Sequence, residues 1–276
     1  MIKLEKTEVS GWETAIRGMR NPLNSWDKSD STQLYSYDGN KDDFIVGEND
    51  LTLMKKLVKA GSDHRKFMRF ITVSVDITAP LYWWSEYDTY KVGTVANSCS
   101  KMHKLLHKPF EMSDFSFDKL PGYKREVKQF TPEVDEDREV WKPTCEDDSY
   151  EVSNYGRVRH NGRVLSGSIH SDIINDKYKY VEKVNVFETV ARPIVDMLNE
   201  LRDAWYLEED ADKKKQIWYA ILQLLPESYN QKRTVLLNYE VLRNMYHARK
   251  AHKLDDWRDL CKWIETLPYH ELITEE

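Results

Sequence analysis

The stretch FITVSVDIT, Phe70 to Thr78, alternates Ile71, Val73, Val75 and Ile77 with Thr72, Ser74 and Asp76. A period of two belongs to a strand with one buried face, so a strand is predicted here, ended by Ala79-Pro80. Ahead of it, NDLTLMKKLVKAG predicts a helix that starts at Asn49 or Asp50, turns Leu51, Met54 and Leu57 to one side and stops at Gly61. Beyond Pro80, LYWWSEYDTYKVGTVANSCSKMHKLLH predicts two helical pieces hinged near Gly93. A stretch rich in proline and charge then gives way to short strand-like fragments between about Glu139 and Val186, which read as a separate module. From Phe187 the spacing becomes helical: Phe187, Val190, Ile194, Leu198, Leu201 and Trp205 predict one helix, and Ile217, Ile221, Leu224 and Leu225 a second, closed by Pro226. A third helix is predicted over NQKRTVLLNYEVLRNMYHARKAHK, where Asn238, Leu242, Met245, Arg249 and His252 share one sector. Leu254, Trp257, Leu260, Cys261 and Ile264 predict the last.

Composition narrows the class. The 276 residues are 40% hydrophobic and 32% charged, enough for one large domain, or one domain and a small module. A net charge of -6 excludes a generally basic nucleic-acid binder, so any such surface must be local. The three cysteines, Cys99, Cys145 and Cys261, are far apart with no C-x-x-C pair, which points to neither a disulfide framework nor a zinc site. No signal-like N-terminus and no run of membrane-spanning length is present, and a soluble, cytoplasmic protein is expected.

Candidate chemistry begins with NSCSKMH, Asn97 to His103, where Cys99 and His103 stand four apart as a thiolate and imidazole would. Nothing nearby orients the imidazole, so a helix residue and a surface histidine explain the pair more simply. His103 and His107 share the spacing of a metal-binding pair but lack an acidic partner and a third ligand, and no metal is expected. Arg249 among core-type residues requires an anion, either a ligand phosphate or a carboxylate of the chain itself; the pattern does not separate the two. Tyr82, Trp83, Trp84 and Tyr87 either stack on a ring system or form plain core.

Two parts of the chain together resemble the flavin-dependent thymidylate synthases. In that family an A-P leads to an R-H-R triplet and then to S-x-N-E-x-S-x-R-Y. Here Ala79-Pro80 leads to Thr89, Tyr90 and Lys91, then to Asn97, Ser98, Ser100, Met102 and His103. Downstream, Leu222, Leu225-Pro226, Asn238, Glu240, Leu242, Asn244, Arg249 and Trp257 follow the frame of the family's R-x-x-L-P, its asparagine-led helix and its final tryptophan. The resemblance covers about residues 1 to 115 and 187 to 268. It implies an α+β fold, with helices packed on a curved antiparallel sheet. It also implies a homotetramer that holds FAD and a dUMP-like pyrimidine nucleotide between subunits for methylation of uracil C5.

Carried over position by position, the resemblance makes Ser100 and Arg249 the catalytic candidates, and Lys91, Asn97, Asn238 and Asn244 the cofactor-binding ones. The departures are equally specific. Thr89, Tyr90, Ser98, Met102, His103 and Leu222 replace signature arginines, a histidine, a glutamate and a tyrosine, and Glu240 replaces an arginine. Charge-assisted hydrogen bonds contribute roughly 1.5–3 kcal/mol each, so these losses together argue against ordinary C5 methylation. Two readings follow: a divergent nucleotide-binding relative, or an inactive binding or structural protein on the same fold.

The segment EVWKPTCEDDSYEVSNYGRVRHNGRVLSG resembles the nuclease-associated modular DNA-binding motif, through Glu139, Trp141, Lys142, Tyr150, Val152, Ser153, Asn154, Gly156, Arg157, Val158, Arg159, Gly162, Arg163 and Leu165. The resemblance implies a small β-rich insertion with Asn154, Tyr155, Arg157, Arg159 and Arg163 meeting DNA, YKYVEKV as its last strand, and a phage or prophage source. A structural β module that mediates protein contacts is the other reading. The expected organisation is 1–136 and 187–276 as one domain interrupted by 137–186.

Overall fold

The computed structural model describes residues 2–35, 41–117, 119–120, 122–128, 136–143, 149–153, 157–164 and 179–275. In chain order its elements are strand β1 (Lys3–Ser10), helix α1 (Trp12–Arg20), strands β2 (Thr32–Tyr35) and β3 (Lys41–Ile45), helix α2 (Glu48–Lys59), strand β4 (Thr72–Pro80), helix α3 (Leu81–Tyr87), strand β5 (Val95–Ser98) and the short helix α4 (Lys101–Lys104). There follow β6 (Gly122–Lys128), β7 (Trp141–Pro143), β8 (Tyr150–Ser153), β9 (Val158–His160), β10 (Arg163–Val164) and β11 (Lys179–Asn185). The chain ends with α5 (Arg192–Leu207), α6 (Ala211–Leu224), β12 (Asn230–Asn238), α7 (Tyr239–Arg249), α8 (Asp255–Ile264) and α9 (Glu271–Thr274).

Two compact units are formed, Met1–Asp118 with Leu201–Glu276, and Lys119–Glu200; the second encloses 137–186. In the first, an antiparallel sheet runs β1-β4-β12-β5. The alternation read in β4 is realised: Val73, Val75, Ile77 and Ala79 are buried, joined from β12 by Val235 and Leu237. On them rests an apolar core that includes Met54 of α2, Trp83, Trp84 and Tyr87 of α3, Leu242 and Met245 of α7, and Trp257 of α8. The indoles of Trp83 and Trp257 lie 4.8 Å apart, so the aromatic cluster is core. The opposite face carries Asp76, Thr234 and Lys232, tied by a Thr234 hydroxyl donating to Asp76 at 2.6 Å and a Lys232–Asp76 ion pair at 3.0 Å.

Four expectations are corrected. Past Gly93 the chain forms the edge strand β5 rather than a second helix, and helix resumes only at Lys101. The predicted long third helix is a strand, β12, followed by the helix α7; the apolar residues of TVLLN meet the period of both, and pairing with β4 decides for strand. YKYVEKV does contain a strand, β11, but it pairs with β6 outside the motif instead of closing the sheet β10-β9-β8-β7. The helix α2 begins after Gly47, not at Asn49 or Asp50, because the Asp30 carboxylate accepts from the backbone N–H groups of both. Among the described residues no helix is long and apolar enough to cross a membrane.

Candidate functional site

Strand β5 delivers Ser100 to the start of α4, where the Ser100 carbonyl accepts from the Lys104 N–H at 3.1 Å. The adjoining end of β12 is fixed to the same segment: the Cys99 N–H donates to the Lys232 carbonyl at 3.0 Å, and the Gln231 amide to the Cys99 carbonyl at 2.9 Å. Between them lies a cleft of about 220 Å³, lined among others by Ser100, Lys101, Lys104, Tyr229, Asn230 and Lys232. It is cationic. Lys232 is paired with Asp76, whereas Lys101 and Lys104 have no ion-pair partner among the described residues. Among the described residues the one carboxylate at the rim is Asp114, which accepts from Lys108 at 2.8 Å. Burial pushes the Tyr229 hydroxyl up to about 12, so it stays a neutral donor and acceptor at physiological pH. Such a cleft suits a phosphate or another small anion and is below the volume of a pocket for a whole dinucleotide.

Arg249 does not line that cleft. Its Nε donates to the Tyr90 hydroxyl at 2.8 Å, its Nη1 pairs with Glu86, and its guanidinium lies 4.6 Å from the Trp257 ring centre. The Trp257 indole N–H donates to the other Glu86 oxygen at 2.6 Å, and His252 stands 3.4 Å from that carboxylate. Burial disfavours the Glu86 charge, but the Trp257 hydrogen bond and the Arg249 guanidinium outweigh it and hold the carboxyl below its ordinary value. Of the two anions open to Arg249, an internal carboxylate is the one it meets.

The other candidates occupy different surroundings. Asn238 caps α7, its side-chain oxygen accepting from the Val241 N–H at 3.0 Å. Asn97 is exposed on β5 opposite Thr234, while Lys91 and Asn244 are exposed on a turn and on α7. The four side chains thus stand on separate elements, three of them exposed. Cys99 is exposed and Cys261 buried, and Cys145 lies outside the described residues. Among the described residues no group of three His, Cys, Asp or Glu side chains could hold a metal.

In the second unit the motif arginines are engaged with the module itself. Arg157 forms an ion pair with Glu139 at 3.1 Å, and Arg159 meets Glu151 through two nitrogens, the second at 2.9 Å. Both guanidinium groups lie on Trp141, at 5.8 and 4.6 Å from its ring centre. Arg163 is exposed on β10; Asn154 and Tyr155 lie outside the described residues.

A NUMOD4 motif model matches residues 139–182. No curated protein matches the chain in sequence. Among solved structures, thymidylate synthase X (ThyX) from Helicobacter pylori, crystallised with FAD and dUMP, is similar at a TM-score of 0.54 and 15% identity, over 100% of this chain and 98% of that one. A second structure of the flavin-dependent thymidylate synthase ThyX from the same organism, also complexed with FAD and dUMP, gives 0.53 and 15%, over 99% and 98%. The chain has the ThyX fold. The ThyX-like fold therefore carries a NUMOD4 motif between β5 and β12, strands that pair within one sheet.

Sequence reasoning singled out Ser100 in this ThyX-like unit and not Lys101, Lys104 and Lys232, which line the same cleft. Lys101 and Lys104 were legible as a basic pair just past Ser100. Lys232 was not, since only the pairing of β12 brings it there.

Proposed function

We propose that the ThyX-like unit binds a small phosphate-bearing molecule, a pyrimidine nucleotide of the dUMP kind, with its phosphate in the Ser100 cleft. The observation that carries this reading is the gathering of Lys101, Lys104 and Lys232 around Ser100, with both rim lysines unpaired among the described residues. The fold supports it, because the solved ThyX structures that share it hold dUMP. Binding is favoured over C5 methylation: the cleft offers cations and a phenol too weakly acidic to give up its proton at neutral pH, and Arg249 is occupied by Glu86. Flavin belongs to this reading only if a second copy of the chain completes its site, which makes a homo-oligomer part of the same proposal.

The test is thermal stability with dUMP, with inorganic phosphate and with FAD. dUMP is expected to raise the melting temperature of the wild type, and Lys101→Ala/Lys104→Ala to remove most of that rise. No rise in the wild type, or an equal rise in the double variant, overturns the proposal. Visible flavin absorbance in the purified protein, or stabilisation by added FAD, would restore a flavoenzyme reading.

A second reading concerns the module, and the NUMOD4 match at 139–182 favours it. Under it the module binds DNA, and binding weakens steeply with salt because pairing with phosphates releases counterions.

A further inference from the structure

The sheet β10-β9-β8-β7 has two faces of different chemistry. Opposed residues in an antiparallel sheet share a face, and successive residues along a strand point to opposite faces. Val164, Arg159, Glu151 and Pro143 form one row, and Trp141 and Ser153 lie on the same side. On that side the cations are consumed: Arg159 is held by Glu151, Arg157 by Glu139, and Trp141 lies against both. The opposite face carries the row Arg163, His160 and Tyr150, with Lys142 two residues along on β7. Here the His160 and Tyr150 rings stack at 4.3 Å, and Lys142 and Arg163 are exposed with no ion-pair partner among the described residues.

We propose that the module meets DNA through the face of Lys142, Tyr150, His160 and Arg163, and that Arg157 and Arg159 are its internal scaffold. This rests on the DNA-binding reading of the module and names its surface. Recognition needs cations whose charge is not already cancelled, because only those displace counterions from phosphates. Lys142 and Arg163 satisfy this, and they stand three strand spacings across and two residues along the sheet, about 16 Å apart, the axial rise of about five nucleotide steps of a duplex. Between them the stacked Tyr150 and His160 offer a flat surface to sugar or base. By contrast, turning Arg159 toward a phosphate would strand the Glu151 carboxylate and uncover Trp141.

The experiment is fluorescence anisotropy of a labelled mixed-sequence duplex with the full chain, across a salt series. Wild type is expected to bind with a steep salt slope. Lys142→Ala/Arg163→Ala should weaken binding at least tenfold and shallow the slope by about 2, close to 0.9 for each phosphate that is no longer neutralised. Glu151→Gln releases Arg159 without removing it; the melting temperature should fall while affinity changes less than twofold. If Lys142→Ala/Arg163→Ala binds like wild type, or if Glu151→Gln binds severalfold more tightly, this face assignment is wrong although the module still binds DNA. If wild type binds no duplex even at low salt, both the DNA-binding reading and the assignment fail.

Discussion

Asp50 sits in the first turn of α2 with its side chain fully buried, and it is satisfied on every side. Arg20 Nε, the Ser29 and Ser31 hydroxyls and the Asp30 and Ser31 backbone N–H groups all donate to it. Burial alone would raise its pKa, but the serine hydrogen bonds and Arg20 outweigh burial and hold it below the ordinary 3.8. The folded state therefore binds this proton less readily than the unfolded chain. Its stabilisation is complete above about pH 4 and drains away as pH falls through the lowered folded value. Asp50→Asn should cost about 3–5 kcal/mol at neutral pH by leaving Arg20 uncompensated, and should flatten stability against pH below 4. Urea unfolding at a series of pH values checks both.

Arg249 poses the complementary case, a cation that the chain neutralises itself. Arg249→Ala leaves Glu86 with only Trp257 and His252, and Glu86→Gln leaves Arg249 with Tyr90. A double-mutant cycle should give a coupling of about 1.5–3 kcal/mol, the range of hydrogen bonds to charged groups. A coupling near zero in denaturant melts would mean that the pair is not formed in solution.

Elements divide by whether a local period or a distant partner decides them. Strand β4 and helices α2 and α8 were legible because their apolar spacing has one solution: Val73, Val75 and Ile77 fit a strand, and Trp257, Leu260, Cys261 and Ile264 a helix. The stretch 230–249 fits two. Its strand half is chosen by β4, whose Asp76 meets Thr234 from 158 residues away, and its helical half begins at the cap Asn238. The local signal for that boundary was present, an asparagine followed by Glu240 in the first helical turn, but helical spacing concealed it. The site divides likewise. Ser100 could be read from a motif, whereas the neutralisation of Arg249, Arg157 and Arg159 depends on carboxylates that only the folded chain brings near.

At the scale of the molecule, the ThyX-like unit is tied together on both sides of the point where the insertion leaves and re-enters it. Before it, the Ser116 N–H donates to the Ser228 carbonyl at 2.8 Å and Phe115 bridges to Tyr229; after it, Arg202 and Tyr206 both donate to the Leu106 carbonyl at 3.1 Å. Within the second unit, β6 and β11 form a ribbon whose far end is the pair Lys128 and Lys179. Opposed residues of such a ribbon lie about 5 Å apart, within the span of a two-residue turn. Replacing 129–178 by Asn-Gly should therefore remove all but the last four residues of the NUMOD4 match and leave the dUMP-dependent stabilisation within about twofold of wild type. Loss of cooperative melting in that variant would show that the segment supports the larger unit.

The ribbon also bears on how the chain finds its fold. Asp76 and Thr234 meet across 158 residues, so the central sheet closes a long loop before its pairing yields stability. When Lys128 and Lys179 pair first, the chain between them drops out of that loop and the closure entropy falls. The insertion thus lengthens the search only until its own ribbon zips, and the Asn-Gly variant, in which that step is nearly free, should refold about twofold faster.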